Sequence, residues 1–471
     1  MKHLKLLCVF SILLFTGCKS ENLGSENPES KNIPYASIEP TQFTVDLPQE
    51  YDGSGGLVAI DITQDSKKDF IITQTNHIAA YRHSGEKLWT KTADIQLSDK
   101  SERQGLPGLH APGVQVADID GDDKPEVLFI TRDNRLHVVQ GEDGKSEHTL
   151  ALPSPAKSNR WEHIVVADFR GKGDRDILLQ STTETEYRLG RHLAAYSIDS
   201  LLKDPKTPPL WVQNDFHSAA HNGVRVMDLN GDGKDEVIGA NILNGQGKIL
   251  FQLPLTLQRF PHIDSVFISD VDPNIEGLEV IALEEGGDNR VFLYNTEQLI
   301  WQIDYKNQEP QNAVFGDFDL ERPGLEIWCR SRYNEDQKPF IFDAQGKFIN
   351  SYRMSNVAPN DWTIKGVEVI IPIHWTGEPK QLAAAKERHE SGDVGIFDPV
   401  SGAFLYKFKT TADRLYVADV TGDWREELIV LNQKELKIFQ NPAPNANPNQ
   451  PRLWDQKHYQ RSKMTWNYYS P

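Results

Sequence analysis

Four of the fourteen histidines stand at related places along this chain. His110 lies eight residues before Asp118, His163 five before Asp168, His221 seven before Asp228 and His262 eight before Asp270. An imidazole can donate, accept or carry a proton near neutral pH. A single such histidine is most often structural, but four at matching positions in successive repeats converge in space. Such a cluster suits proton transfer, metal binding or pairing with an acidic ligand. Asn312 holds the corresponding place before Asp317, and Trp362 and Lys365 precede the next unit. A second group is Tyr187, Arg188, Arg191 and His192, in ETEYRLGRHLAAY. Its two guanidinium groups can clamp a carboxylate in bidentate fashion, or the run is a solvated basic turn. Arg259 sits close to His262, and Lys386, Arg388 and His389 form a similar group in AAAKERHESGD.

The aspartates used above as landmarks open acid-rich loops, each set between two apolar segments. In VMDLNGDGKDEVIGA (226–240), Asp228, Asn230, Asp232, Lys234 and Glu236 occupy positions 1, 3, 5, 7 and 9. Alternating oxygen ligands, a backbone carbonyl at Lys234 and a late carboxylate satisfy a hard cation such as Ca²⁺. Asp118, Asp120, Asp122 and Glu126 repeat that spacing and make a second calcium loop. The loop at Asp168 keeps Asp176 but carries Arg170 and Lys172 at positions 3 and 5, which should repel a cation. Related loops start at Asp61, Asp270, Asp317 and Asp419, and His374 stands in the first-Asp place of the remaining unit.

These units recur at a spacing of roughly 50 residues, the size of a propeller blade rather than of a solenoid repeat. Each continues with further short apolar segments and a turn such as GEDGK, DAQGK or DPVSG. The spacing predicts an all-β fold, a β-propeller of about eight blades (seven being the alternative), with calcium-type loops between inner strands. Residues 381–388 are the one stretch expected to form a short helix.

Outside the repeats, the first 17 residues combine a basic start at Lys2 and Lys5 with an apolar run, and Leu14 to Cys18 looks like a lipobox. Residues 1–17 are therefore expected to be a lipoprotein signal peptide, with Cys18 lipidated. Residues 18–40, rich in Ser, Asn, Glu and Pro, are expected to be a flexible tether. The propeller would then fill 41–471. A bacterial outer-membrane lipoprotein follows, monomeric, facing the periplasm or the cell surface and held by its lipid anchor alone. Cleavage leaves Cys329 as the one cysteine besides Cys18, too few for an intrachain disulfide framework. A net charge of −18 argues against nucleic acid as a partner.

The loops resemble FG-GAP calcium repeats, a likeness that implies a fold and no activity. Two longer stretches narrow the class. HNGVRVMDLNGDGKDEVIGANILNGQGK (221–248) and FPHIDSVFISDVDPNIEGLEVI (260–281) resemble the catalytic propeller of bacterial rhamnogalacturonan lyases. His221 and the pair His262/Asp264 fall on that family's motif positions, and Arg191 to Tyr196, GDFDLERPGLEIW and the ending MTWNYYSP also fit. Propeller ulvan lyases are a related family. The resemblance implies β-elimination at a uronic acid of an acidic polysaccharide. His221 or His262 would be the base, Arg191 or Ca²⁺ would neutralise the carboxylate, and Tyr187 or His163 would assist the leaving group. His110, Arg188, Arg259, Asn312, Lys386 and Arg388 would bind substrate. Two other readings use the same propeller without chemistry, a glycan-binding surface lipoprotein and an adhesion module that docks a protein partner.

Overall fold

The computed structural model describes residues 32–47, 56–74, 76–95, 114–155, 158, 160–182, 189–219, 223–255, 263–285, 287–304, 309–331, 337–363, 366–387 and 392–464. They form eight four-stranded antiparallel sheets, so the fold is an eight-bladed β-propeller. The inner strands are Leu57–Ile60, Val114–Ala117, Trp161–Ala167, Arg225–Met227, Ile263–Ser269, Pro310–Gly316, Val367–Ile373 and Arg414–Ala418. In blades 1 to 7 the strands follow one another outward in chain order. Blade 8 closes the ring differently. Its outer strand is the N-terminal segment Thr41–Thr44, which pairs with Glu435–Phe439.

The core is not central. Eight apolar clusters lie in the eight gaps between neighbouring blades, each drawing residues from two sheets. Second strands are therefore buried on both faces, which explains continuous apolar runs such as Val280–Leu283 where a half-exposed strand would alternate. Burying each sheet against the next is the physical reason that a repeat cannot stand alone.

A recurring lock ties the outer edges of blades. The Trp89 indole donates to the Gly141 carbonyl at 2.7 Å and packs over Gly144 in the next blade. Trp211 does the same to Gly245 and Gly247, and Trp301 to Ala344 and Gly346. Gly247 has φ +75°, and a Cβ there would lie 2.6 Å from the Trp211 ring, so both backbone and space demand glycine. This is the physical meaning of the GK turns in the sequence.

Two expectations need correction. Residues 381–388 form no helix: Leu382–Glu387 is the second strand of blade 7, fully buried between blades. Tertiary burial overrides the helix propensity of LAAAKE. The tether expected over 18–40 also ends sooner. From Asn32 the chain already packs on blade 7, where Tyr35 bridges to Lys407 and donates to Asp361 at 3.1 Å. Ile33, Ala36 and Ile38 join the apolar clusters beside that blade. Residues 1–31, with Cys18, lie outside the described residues.

Candidate functional site

Antiparallel order puts the start of the inner strand, the end of the second and the start of the third at one end of each blade. Charged and amide side chains gather there below the surface. In blade 3, His163 pairs in register with Gln180; in blade 6, Asn312 pairs with Arg330. Blade 4 begins with Arg225, blade 5 brings Asp264, Glu284 and Arg290, blade 7 Lys386 and Glu387, and blade 8 Arg414. All are buried. Burying an ion is costly unless it is paired or hydrogen-bonded, and the partners are present. Arg290 donates to Glu284 at 2.6 and 2.9 Å. Arg330 donates to Gln311 at 3.1 Å, and Gln311 in turn to Glu285 at 2.9 Å, which links blade 6 to blade 5. Burial pulls the Arg225 guanidinium down to about 9. The result is a polar floor with buried cations beneath one mouth of the propeller.

The candidates from the sequence divide by position. His163 and Asn312 fall inside inner strands and are buried, 3% and 1% exposed, away from any polymer in solvent. His163 Nε2 lies 3.1 Å from the Val224 carbonyl, and Gln180 accepts from the Val224 amide at 3.0 Å. Blade 3 thus grips the strand that immediately follows His221. Asn312 accepts from the Ala313 amide at 2.8 Å. Lys386 is likewise buried, its ammonium 3.4 Å from the Glu387 carbonyl. Arg191 is exposed at the mouth end of the third strand of blade 3, and next to it His192 stacks on Trp161. His110, Tyr187, Arg188, His221, Arg259, His262 and Arg388 lie outside the described residues. The sequence reading passed over Gln180, Arg225, Glu284, Arg290, Arg330 and Arg414. Their signal was a polar residue at the mouth end of an otherwise apolar strand, as in VRVMD and EIWCRS.

The acid loops lie at the opposite end. In all seven, a late carboxylate, at position 9 or at position 10 in the longer loops of blades 5 and 6, accepts from the backbone N–H at position 2, as Glu126 does from Ile119 at 2.9 Å and Glu236 from Leu229 at 3.0 Å. Burial pushes Glu126, Glu236, Glu279 and Glu326 up to about 7 and Glu427 to about 8. Oxygen atoms of Asp118, Asp120 and Glu126 converge within 4.8 Å of one another, a hard-oxygen set of the kind Ca²⁺ takes. Asp122 accepts from the Lys124 amide at 2.8 Å, beside that set. In the loop of blade 4, Asp228 accepts from the amides of Gly231, Asp232 and Gly233, and Asp232 from that of Lys234. Asn230 Nδ2 donates to Glu236 at 3.3 Å, so the amide must turn over before its oxygen could meet a cation. The residues at both loops fit calcium in type.

A C-terminal segment covers this second end. Arg461, on the helix Lys457–Met464, donates to Asp235 at 2.7 and 2.8 Å, to Asp174 at 2.9 Å and to the Val166 carbonyl at 3.2 Å. Lys463 meets Glu426 at 3.1 Å and the Pro372 carbonyl at 2.5 Å, and Tyr459 donates to Glu426 at 2.8 Å. Val166 and Pro372 are near the ends of inner strands in blades 3 and 7, so the helix crosses the channel. Between it and the loops of blades 3 to 5 is a cavity of about 480 Å³. The helix and this cavity lie at the end of the blades away from Arg191.

Comparison with known proteins agrees with the fold. Residues 210–469 match the rhamnogalacturonan lyase family 11, C-terminal domain, and residues 61–129 match an FG-GAP-like repeat. Over 428 residues the chain is 24% identical to the rhamnogalacturonan endolyase YesW of Bacillus subtilis (strain 168), covering 78% of this chain but only 62% of that protein. It is 22% identical over 466 residues to the rhamnogalacturonan exolyase YesX of the same organism, covering 86% and 71%. The crystal structures of rhamnogalacturonan lyase YesW and exotype rhamnogalacturonan lyase YesX share the fold, with TM-scores of 0.63 and 0.66 at 19% and 18% identity. Each alignment covers 91% of this chain and 81% of that structure's. The family's C-terminal domain accounts for more than half of the residues here and contains Arg225, Asp264, Glu284, Arg330, Lys386 and Arg414. On that ground the chain belongs to rhamnogalacturonan lyase family 11.

Proposed function

We propose that this protein is a polysaccharide lyase that cleaves rhamnose–uronate linkages of rhamnogalacturonan by β-elimination. The observation that carries the reading is the family match across the blades that supply the buried cations at the open mouth. The C5 proton of a uronate is weakly acidic because the adjacent carboxylate is charged. Arg191, exposed at the mouth, pairs with that carboxylate and stabilises the enolate-like transition state. His221 or His262 removes the C5 proton, and Tyr187 protonates O4 of the departing sugar. His163 acts on position: its bond to the Val224 carbonyl steadies the segment that carries His221. Buried Arg225, Arg330 and Arg414 keep the floor positive toward an anionic polymer.

Calcium belongs to the same reading. Asp118, Asp120, Asp122 and Glu126 would hold one ion, and Asp228, Asn230, Asp232, Glu236 and the Lys234 carbonyl another. When bound, the ion cross-links each loop's carboxylates and so staples its blade. The lipobox-like LFTGC supports anchoring on a bacterial outer membrane through a lipidated Cys18. Retention of a Cys18→Ala variant in the membrane fraction would count against that placement.

The main test is absorbance of the unsaturated uronate near the ultraviolet edge. Rhamnogalacturonan should give a rising signal, with ulvan and other uronate polymers as comparisons. His221→Ala combined with His262→Ala should abolish the rise while leaving the thermal midpoint in place. Undiminished product from that double variant refutes the assignment of the base. Tight binding of rhamnogalacturonan with no absorbance change would favour a glycan-binding propeller instead.

A further inference from the structure

The seven acid loops share one backbone design but differ in what meets their carboxylates. In blade 3, Arg170 turns back into its own loop, donating to Asp176 at 2.8 Å and to the Arg175 carbonyl at 3.2 Å. In blade 6, Arg322 donates to Asp319 at 2.9 Å. In blade 8, the cation arrives from outside the loop. Arg452, in the C-terminal segment, donates to the fully buried Asp419 at 2.8 Å, while Arg425 donates to Asp423 at 2.7 and 3.1 Å. Blade 5 uses neutral groups, with Gln345 and Asn274 donating to Asp272 at 2.9 and 2.8 Å. In blade 1, His83 Nδ1 lies 3.5 and 3.6 Å from Asp69 and Asp65. Blades 2 and 4 differ from these at their ligand positions, although Arg461 pairs with Asp235 of the blade 4 loop and Arg175 donates to the Ile119 carbonyl of the blade 2 loop. Among the described residues no cationic side chain forms an ion pair with Asp118, Asp120, Asp122, Glu126, Asp228, Asp232 or Glu236, which take bonds from amide groups of their own loops.

We propose that guanidinium groups built into the chain take the place of the metal ion in the loops of blades 3, 6 and 8, so that these three loops bind no calcium. The inference rests on the calcium reading given above. The chemistry favours arginine for this purpose. Its charge is permanent, it is weakly hydrated, and its fork matches a carboxylate edge. A divalent cation entering such a loop would have to displace a guanidinium from the carboxylate it needs as a ligand. In blade 8 the substitution has a further effect. Arg452 comes from 33 residues further along the chain, so the surrogate cation ties the C-terminal segment to blade 8.

The test is a count of bound calcium on the full chain, stripped with chelator, dialysed and titrated by calorimetry, with metal analysis of the saturated protein. The parent should bind at most four ions. Asp118→Asn and Asp228→Asn should each remove one. Arg170→Asn combined with Lys172→Asp restores oxygen ligands at positions 3 and 5 of the blade 3 loop and should raise the count by one; Arg452→Gln combined with Arg425→Gln should do the same in blade 8. Five or more ions in the parent, or a count that neither variant raises, would overturn this inference and leave the calcium reading standing. No calcium in the parent or in any variant would overturn both. Should a variant fail to fold by circular dichroism, the count on the parent still decides.

Discussion

Among individual residues, burial separates structure from chemistry. His163 and Asn312 stand within their inner strands and are buried, whereas His110, His221 and His262 lie outside the described residues. A side chain inside the strand turns toward a neighbouring blade, and His163 accordingly meets the Val224 carbonyl. Arg191 is the opposite case, exposed and at the mouth. Arg191→Ala should lower kcat/KM on rhamnogalacturonan by roughly 100-fold, the usual effect of removing one preorganised charge, with no change in thermal midpoint. Arg191→Lys should recover only part of the loss, because an ammonium cannot offer two parallel bonds. Wild-type kinetics in Arg191→Ala would remove this residue from the site.

In single elements, the acid loop shows what burial does to a carboxylate. Glu427 of blade 8 is pushed from 4.5 up to about 8 chiefly by desolvation. Its folded-state value lies above the unfolded one, so the folded state holds the proton more tightly. Its contribution to stability is therefore fully present below about 4.5 and is lost as pH rises through about 8. Glu427→Gln cannot ionise and should flatten this part of the profile. Between pH 5 and 8 the thermal midpoint of the parent should fall relative to that of the variant; parallel profiles would disprove the buried, protonated carboxyl. The turn between third and fourth strands is a second element with a clear cost. Gly247→Ala forces a left-handed φ and a clash with Trp211, and should lose at least ~1–2 kcal/mol in chemical denaturation. A neutral result would mean that the Trp–Gly lock does not hold the blades.

Across the whole molecule, two devices close the ring. The N-terminal strand completes blade 8, and the C-terminal helix covers the acid-loop end. Arg461 joins blades 3 and 4 through Asp174 and Asp235, and the Asp235 carboxylate also accepts from the Asp168 amide at 2.7 Å. Removing one member of such a largely buried pair strands the other charge, which typically costs ~3–5 kcal/mol. Arg461→Ala should fall at the lower end of that range, because its side chain keeps 14% exposure. Rhamnogalacturonan cleavage well below the melting temperature should be unaffected, since the helix sits at the end away from Arg191. A loss of activity without a loss of stability would show that the two ends are coupled.

The sequence alone determined the local matters. The spacing of the acids marked the acid loops, and the recurrence of those loops gave the blade count. Those features are legible because they depend on residues near one another in the chain. The tertiary structure decided what depends on neighbours brought from afar. It turned LAAAKE from a helix candidate into a strand buried between two blades, and placed His163 against blade 4. It also brought Arg452 onto Asp419 from 33 residues away. The polar floor of Arg225, Arg330, Lys386 and Arg414 belongs to the same class. Each of these residues reads as one charge at the end of an apolar strand, and only the closed ring of eight blades gathers them beneath one mouth.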